Sequence, residues 1–260
     1  MKNQILSFLS TECPWRDTLY WYPSVDSTNT QIKKLAEAGA PEGTVVIAAH
    51  QTGGRGRMGR TFHSPNGGGI YLSVLLRPDC PPTELMHLTC AVGVCMCDAI
   101  ASATDYRPQI KWINDLQAKG KKLGGILTEL SINPKTGLVD YAIVGIGINC
   151  LQEQGDFPEE IRDIAISLKT ATGKTPSLPK VAAEMVQALW KMDITQKKTI
   201  MDCYRKNCVT IGQEINLIRG EEIRQGTALD ISDDGSLLVR FPDGHEEWIS
   251  CGEVSCRKAN

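Results

Sequence analysis

The 260-residue sequence predicts an α+β fold in two parts: a larger unit over residues 1–208 and a small all-β module over residues 209–260. Two observations carry this expectation. Strand-like and helix-like periodicities alternate from about Tyr20 to Ile200. From Val209 onward, short β-prone runs are divided by turn sequences such as Asp233-Asp234-Gly235 and Pro242-Asp243-Gly244, the pattern of a small barrel-like sheet.

Taken in order, Thr28-x-x-Gln31 reads as a capping box that opens a helix over 31–38. The β-branched run 44–49 predicts a buried strand, and a polar, glycine-rich stretch follows over 51–69. A strand at 70–76 leads to a helix from about Thr83. That helix puts Leu85, Leu88, Val92, Cys95, Met96, Ala99, Ile100 and Ala103 on one face. Strands are expected at 109–113, 123–132 and 138–148, the last two joined through the turn Asn133-Pro134-Lys135-Thr136-Gly137 as a hairpin. Residues 151–160 read as a polar, acidic loop, and helical patterns occupy 180–190 and about 195–206. Short strands at 214–219, 226–231, 237–241 and 247–250 complete the chain.

Composition narrows the function classes. Apolar residues make up 42% and charged residues 22%, and the net charge of −2 does not suggest a general polyanion binder. No stretch is expected to reach the roughly 18 apolar residues of a membrane span, and the N-terminus lacks a secretory core. The ten cysteines are spaced poorly for metal: Cys95/Cys97, Cys203/Cys208 and Cys251/Cys256 include no Cys-x-x-Cys pair. They read as reduced thiols of a cytoplasmic protein without a structural metal.

The chemistry concentrates at Gln51-Thr52-Gly53-Gly54-Arg55-Gly56-Arg57-Met58-Gly59-Arg60, which holds three arginines and no acid. Glycines allow backbone N–H groups close to an anion, and guanidinium forks suit carboxylate and phosphate. Gly54-x-Gly56-x-x-Gly59 matches the dinucleotide fingerprint formally, but Pro65 and the glycines of 67–69 forbid the helix that must follow it. Gly173-Lys174-Thr175 lacks the earlier glycine of a phosphate-binding P-loop, because Leu168 stands there.

With these residues in view, the chain resembles the biotin–protein ligases. Asp26-Ser27-Thr28-Asn29, Gly54-Arg55-Gly56-Arg57-x-Gly59-Arg60 and Lys111-Trp112-Ile113-Asn114-Asp115 carry the likeness, together with Lys122-Leu123-Gly124-Gly125-Ile126-Leu127-x-Glu129 and Gly145-Ile146-Gly147-Ile148-Asn149. They occur in the family's order and spacing, and the likeness runs to Gly252-Glu253-Val254-Ser255. It implies a class II synthetase-like mixed sheet flanked by helices, with a C-terminal SH3-like β-barrel. It also implies a reaction in which biotin and Mg-ATP give biotinyl-5′-AMP, and biotin then passes to a lysine of a biotin carboxyl carrier domain.

By the same resemblance, Ser27, Thr28, Asn29 and Gln51 hold the biotin head group, and Trp112 and Gly125 wall its pocket. Arg55, Gly56 and Arg57 line the biotin and adenylate site, Arg60 meets the outer phosphates, and Phe62 stacks on adenine where the family usually has Trp. Lys122, Arg57 and Asp115 are the expected catalytic groups. Asn114 and Asn149 are expected at the nucleotide, and Asn114, Asp115 and Asn149 at Mg²⁺. The plainer alternatives are helix capping for Thr28, core packing for Trp112, turn chemistry for Asn114, Asp115 and Asn149, and a solvated lysine run for Lys122. Residues 151–160 match a family segment that orders over the adenylate. The expected state is a monomer or homodimer, with neither membrane nor DNA as partner. About 20 residues before the matching region are too few for a helix-turn-helix. A lipoate–protein ligase or octanoyl transferase of the same fold is the nearest rival, and a non-catalytic anion-binding protein the rival of another class.

Overall fold

A computed structural model describes residues 1–219, 221–250 and 252–256. The larger unit is built on a seven-stranded sheet. Its strands are β1 (Leu19–Tyr22), β2 (Val45–Ala48), β3 (Gly69–Leu76), β4 (Gln109–Lys111), β5 (Asp115–Ala118), β6 (Lys121–Ile132) and β7 (Val139–Asn149). They lie in the order β1-β2-β3-β7-β6-β5-β4. The β1–β2 pair is parallel and the other pairs are antiparallel, so the sheet is mixed as expected. The central strands β3 and β7 are buried nearly throughout, which is why they read as continuous apolar runs and not as alternation.

Helices cover both faces. On one side, α2 (Thr28–Glu37) packs Ile32 and Ala36 against Val46, Leu75 and Ile143. On the other, α1 (Lys2–Phe8), α3 (Leu88–Thr104), α6 (Leu178–Trp190) and α7 (Lys197–Asn207) close over Val45, Ile47, Leu72 and Val74. Two short helices, α4 (Glu159–Arg162) and α5 (Leu168–Thr172), sit between β7 and α6.

The second unit is a five-stranded antiparallel sheet of β8 (Glu214–Arg219), β9 (Glu222–Ile231), β10 (Leu237–Arg240), β11 (Glu246–Ile249) and β12 (Glu253–Cys256), in the order β11-β10-β9-β8-β12. It is fastened to the larger unit at the β9–β10 turn. The Trp112 indole N–H donates to the Gly235 carbonyl at 2.8 Å, and the Trp112 backbone N–H donates to Thr210 Oγ1 at 3.0 Å. Arg205 donates to Asp233 and the Ile231 carbonyl, and Lys197 pairs with Asp234.

Several expectations are corrected. The capping box at Thr28 does not form: α2 begins at Thr28 behind Ser27, no side chain caps it, and Gln31 donates instead to Asp26. Thr28 is turned inward to Gln51, a buried partnership that local spacing cannot show. The helix from Thr83 is a 3-10 turn (Pro82–Leu85) followed by α3. The segment Pro82–Thr104 is apolar and long enough to cross a membrane by composition alone, against the sequence expectation. Two thirds of the apolar 18-residue window within it is buried, because α3 is held between the sheet and helices α6 and α7. The expected loop at 151–160 holds a 3-10 turn (Gln154–Asp156) and the start of α4. Helix α1, strands β1, β5 and β12, and helix α5 were not anticipated. Gly173, the glycine of the failed P-loop match, ends α5 at φ +71°.

Candidate functional site

The glycine–arginine stretch leaves β2 and returns as β3. Backbone bonds from Thr52 to Val25 and from Gly53 to Asp26 tie its base, and bonds between Phe62 and Gly54 and between Gly56 and Arg60 close its tip. No helix follows the glycines: residues Arg57–Gly59 make one 3-10 turn, with Met58 at φ +55°. The loop roofs a cleft enclosing about 960 Å³ of space outside protein atoms, part of it open to solvent.

One end of the cleft is neutral and polar. Ser27, Thr28 and Asn29 are each 3% exposed and stand at the start of α2. Gln51 Oε1 accepts from the Thr28 N–H at 2.8 Å and its hydroxyl at 3.1 Å, while Gln51 Nε2 donates to Ser64 at 2.9 Å. The Ser73 hydroxyl, fully buried on β3, bridges Thr28 Oγ1 at 2.7 Å and Asn29 Oδ1 at 2.6 Å. These groups are therefore held in fixed orientations before any ligand arrives.

The other end is cationic. Arg57 donates to Asn114 Oδ1 at 3.2 Å, and the Asn114 amide donates to the Ile126 carbonyl at 2.9 Å, so the β4–β5 corner holds the guanidinium. Lys122 Nζ lies 2.6 Å from Asp115 Oδ1. A register shift between Leu116 and Gln117 lets these two side chains meet across β5 and β6. Arg60 also lines the cleft.

The floor is set by glycines of β6 and β7. The Lys122 stem passes over Gly125, and the Phe62 ring lies against Gly147, where an added Cβ would stand 2.5 Å from Cε1. Phe62 also meets Tyr71 edge-on at 6.4 Å between ring centres. Trp112, 3% exposed, forms one wall, and Gly252 and Val254 of the C-terminal sheet contribute to the lining.

The structure thus gathers Ser27, Thr28, Asn29, Gln51, Arg55, Gly56, Arg57, Arg60, Phe62, Trp112, Asn114, Asp115, Lys122 and Gly125 around one cleft. It does not bring Asn149 to the lining. Asn149 is 5% exposed, its amide donates to the Ile166 carbonyl at 3.2 Å, and its oxygen accepts from Gln152. Residues 151–160 do not line the cleft either. The chain beyond them is pinned to β6, with Lys122 N–H donating to the Ile164 carbonyl and Ile166 N–H to that of Lys122. Glu129 was not among the expected site residues, although it stands in the Leu-x-Glu stretch. It forms a two-pronged pair with Arg55 at 3.1 and 2.8 Å and accepts from Asn29 at 2.6 Å.

Residues 21–149 match the Biotin/lipoate A/B protein ligase family, and residues 210–257 match the Biotin protein ligase C terminal domain. The bifunctional ligase/repressor BirA of Bacillus spizizenii is 35% identical over 256 residues, covering 96% of this chain and 77% of that protein. The biotin–[acetyl-CoA-carboxylase] ligase of Mycobacterium tuberculosis is 32% identical, covering 88% of this chain and 85% of its own. Among solved structures, the Aquifex aeolicus biotin protein ligase in complex with biotin and ATP superposes with a TM-score of 0.74 at 34% identity, over 93% of this chain and 99% of the other. The Leishmania major enzyme with biotinyl-5-AMP gives 0.62 at 25% identity, over 90% and 98%. With relatives named for biotin and a biotin-ligase C-terminal match, the lipoate alternative is not favoured. The mixed sheet and the second sheet are those of a family to which this chain belongs, the biotin–protein ligases.

Proposed function

We propose that the cleft joins biotin to ATP, giving biotinyl-5′-adenylate and pyrophosphate, and then passes the biotinyl group to a lysine ε-amine of a biotin carboxyl carrier domain, releasing AMP. The observation that carries this reading is the meeting, in one cleft, of a buried neutral donor–acceptor cluster and a cationic cluster. A ureido ring offers one carbonyl and two N–H groups, which suits the hydroxyls and amides of Ser27, Thr28, Asn29 and Gln51. A carboxylate approaching a triphosphate needs fixed positive charge, which Arg57, Arg60 and Lys122 supply.

In the first step a biotin carboxylate oxygen bonds to the α-phosphorus, and the bond from that phosphorus to the oxygen bridging it to the β-phosphate breaks, the electron pair leaving with pyrophosphate. Arg57, braced by Asn114, offsets charge at the carboxylate–phosphate junction, and Lys122, braced by Asp115, offsets it on the α-phosphate. In the second step the carrier amine attacks the acyl carbon and AMP leaves, with Lys122 placed to stabilise the acyl oxygen. Trp112 and Gly125 wall the biotin side. Phe62, half-buried over Gly147, presents a ring to adenine.

Magnesium, when bound, neutralises the triphosphate. Of the three expected donors, Asp115 fits: it is the carboxylate among them, and it lines the cleft. The oxygens of Asn114 and Asn149 accept from Arg57 and Gln152. Among the described residues no group of three or more His, Cys, Asp or Glu forms a separate metal cage. We place the reaction in the cytoplasm, where ATP is available and where the eight described cysteines, none in a disulfide, stay reduced.

The test is incubation of the protein with biotin, Mg-ATP and a biotin carboxyl carrier domain, followed by mass spectrometry of the carrier. One biotinyl group on the acceptor lysine is expected. Attachment of lipoate in its place, or no biotin-dependent pyrophosphate exchange, overturns the reading.

A further inference from the structure

Glu129 sits on β6 opposite Ile143, and its carboxylate gathers two segments that are far apart in the chain. Arg55 NH1 and NH2 reach Oε1 and Oε2 at 3.1 and 2.8 Å, a fork-on-fork pair, and Asn29 Nδ2 donates to Oε2 at 2.6 Å. Arg55 and Asn29 line the cleft, whereas Glu129 does not. With Ser73 donating to Asn29 Oδ1, the carboxamide is fixed in both sense and direction. Its second N–H and remaining lone pair stay available to a ligand. Arg55 spends two of its five N–H donors on Glu129 and keeps the others. Arg57 and Arg60 stand nearby in the loop with no acid among them, so Arg55 lacks another anion within its own segment.

We infer that Glu129 is a positioning residue of the biotin site, whose carboxylate fixes the Arg55 guanidinium and the Asn29 carboxamide in the arrangement that receives the biotin head group. The inference rests on the ligase reading above and adds to it how the head-group end is kept in shape. Only a carboxylate accepts all three N–H groups at once, two at Oε2 and one at Oε1. A carboxamide in its place turns its NH₂ either on Arg55 NH1 alone or on Arg55 NH2 and Asn29 together, and so sets donor against donor at Arg55 in both orientations. Arg55 then loses its two-pronged hold in either orientation, although Glu129 itself lies outside the cleft lining.

The experiment is biotin-dependent ATP–pyrophosphate exchange by the full-length protein and by Glu129→Gln. The biotin KM is expected to rise about 10- to 100-fold, the range seen when groups that orient ligand-binding side chains are removed, with the ATP KM and kcat within about threefold. The double variant Arg55→Gln/Glu129→Gln is expected to lose no more than about twofold beyond the worse single variant, because the two residues act as one unit. A biotin KM within about twofold of wild type overturns the inference. So does a parallel rise of both KM values with a lowered Tm, which marks a merely structural role. If Glu129→Gln does not fold, Glu129→Asp keeps the charge: a smaller, biotin-selective rise supports the inference and an unchanged biotin KM overturns it. Biotin-dependent exchange by the wild type tests the ligase reading separately, so a null result in the variants counts against Glu129 alone.

Discussion

Replacing Gly147 by alanine tests the adenine side of the cleft with one methyl group. An alanine Cβ there would stand 2.5 Å from Phe62 Cε1 and 2.8 Å from Cζ, where carbon atoms need roughly 3.5–4.0 Å. The ring must therefore retreat by about 1 Å, away from the floor of β7 and into the space proposed for adenine. Phe62 is only half-buried, so the strain is relieved by movement, and the stability cost is expected at the low end of the roughly 1–3 kcal/mol of core overpacking. A displacement of about 1 Å in a substrate-positioning group can cost up to 100-fold in rate. Gly147→Ala is thus expected to lower kcat/KM for ATP by about 10- to 100-fold while the biotin KM changes little. Pyrophosphate exchange with ATP and biotin varied in turn measures both. Phe62→Ala/Gly147→Ala supplies the control: with the ring gone the methyl has nothing to displace, so the double variant should match Phe62→Ala. An ATP dependence in Gly147→Ala equal to wild type, or a further loss in the double variant, would refute the placement of adenine over Phe62.

Lys122→Ala is expected to fold normally and to slow adenylation about 10²–10³-fold, the scale for deleting one charge-stabilising donor; single-turnover formation of the adenylate at wild-type rate would remove Lys122 from the chemistry. Asp26 contributes to acid sensitivity. Desolvation pushes its pKa up, but bonds from Gln31 and Ser27 and the charge of Lys34 outweigh it and hold the carboxyl below its ordinary 3.8. A depressed carboxylate stabilises the fold above its unfolded value and loses that contribution as pH falls through the folded one. Thermal unfolding of Asp26→Asn should accordingly fall below wild type at pH 6, with the gap narrowing as pH drops below 3.8, and a constant difference across that range would contradict the linkage. Among the described thiols, exposed Cys203 should alkylate first in the native protein. Cys90 and Cys97, whose pKa burial pushes up to about 12, should resist until unfolding, as site-resolved mass spectrometry can show.

The signals readable from sequence were those that short stretches carry within themselves. Continuous apolar runs marked β3 and β7, and the arginines spaced by glycine marked the anion side, because backbone access and guanidinium charge are local properties. What escaped was set by distant partners. Thr28 and Gln31 have the spacing of a capping box, yet Gln51, 23 residues on, takes the Thr28 N–H and hydroxyl. The composition of α3 cannot say whether its apolar surface meets lipid or three neighbouring layers of protein. Asn149 follows two glycines in a stretch typical of the family, but its amide is spent on Ile166 and Gln152. Glu129 has an ordinary strand context, and only the folding of α2 and the arginine loop onto β6 supplies its partners.

The hydrogen bond from the Trp112 indole to Gly235 bears on how such a chain can be cut or recombined. The boundary at 208–209 looks like a natural seam, since it separates two sheets. Yet a wall of the cleft in the first sheet finds its buried acceptor in a turn of the second, and its backbone N–H finds one in Thr210. A fragment ending at the seam would strip both acceptors from Trp112 and open a wall of the cleft to solvent. A transplanted C-terminal sheet would have to carry the same Ser232–Ser236 turn. The engineering unit is therefore the whole cleft and not either sheet.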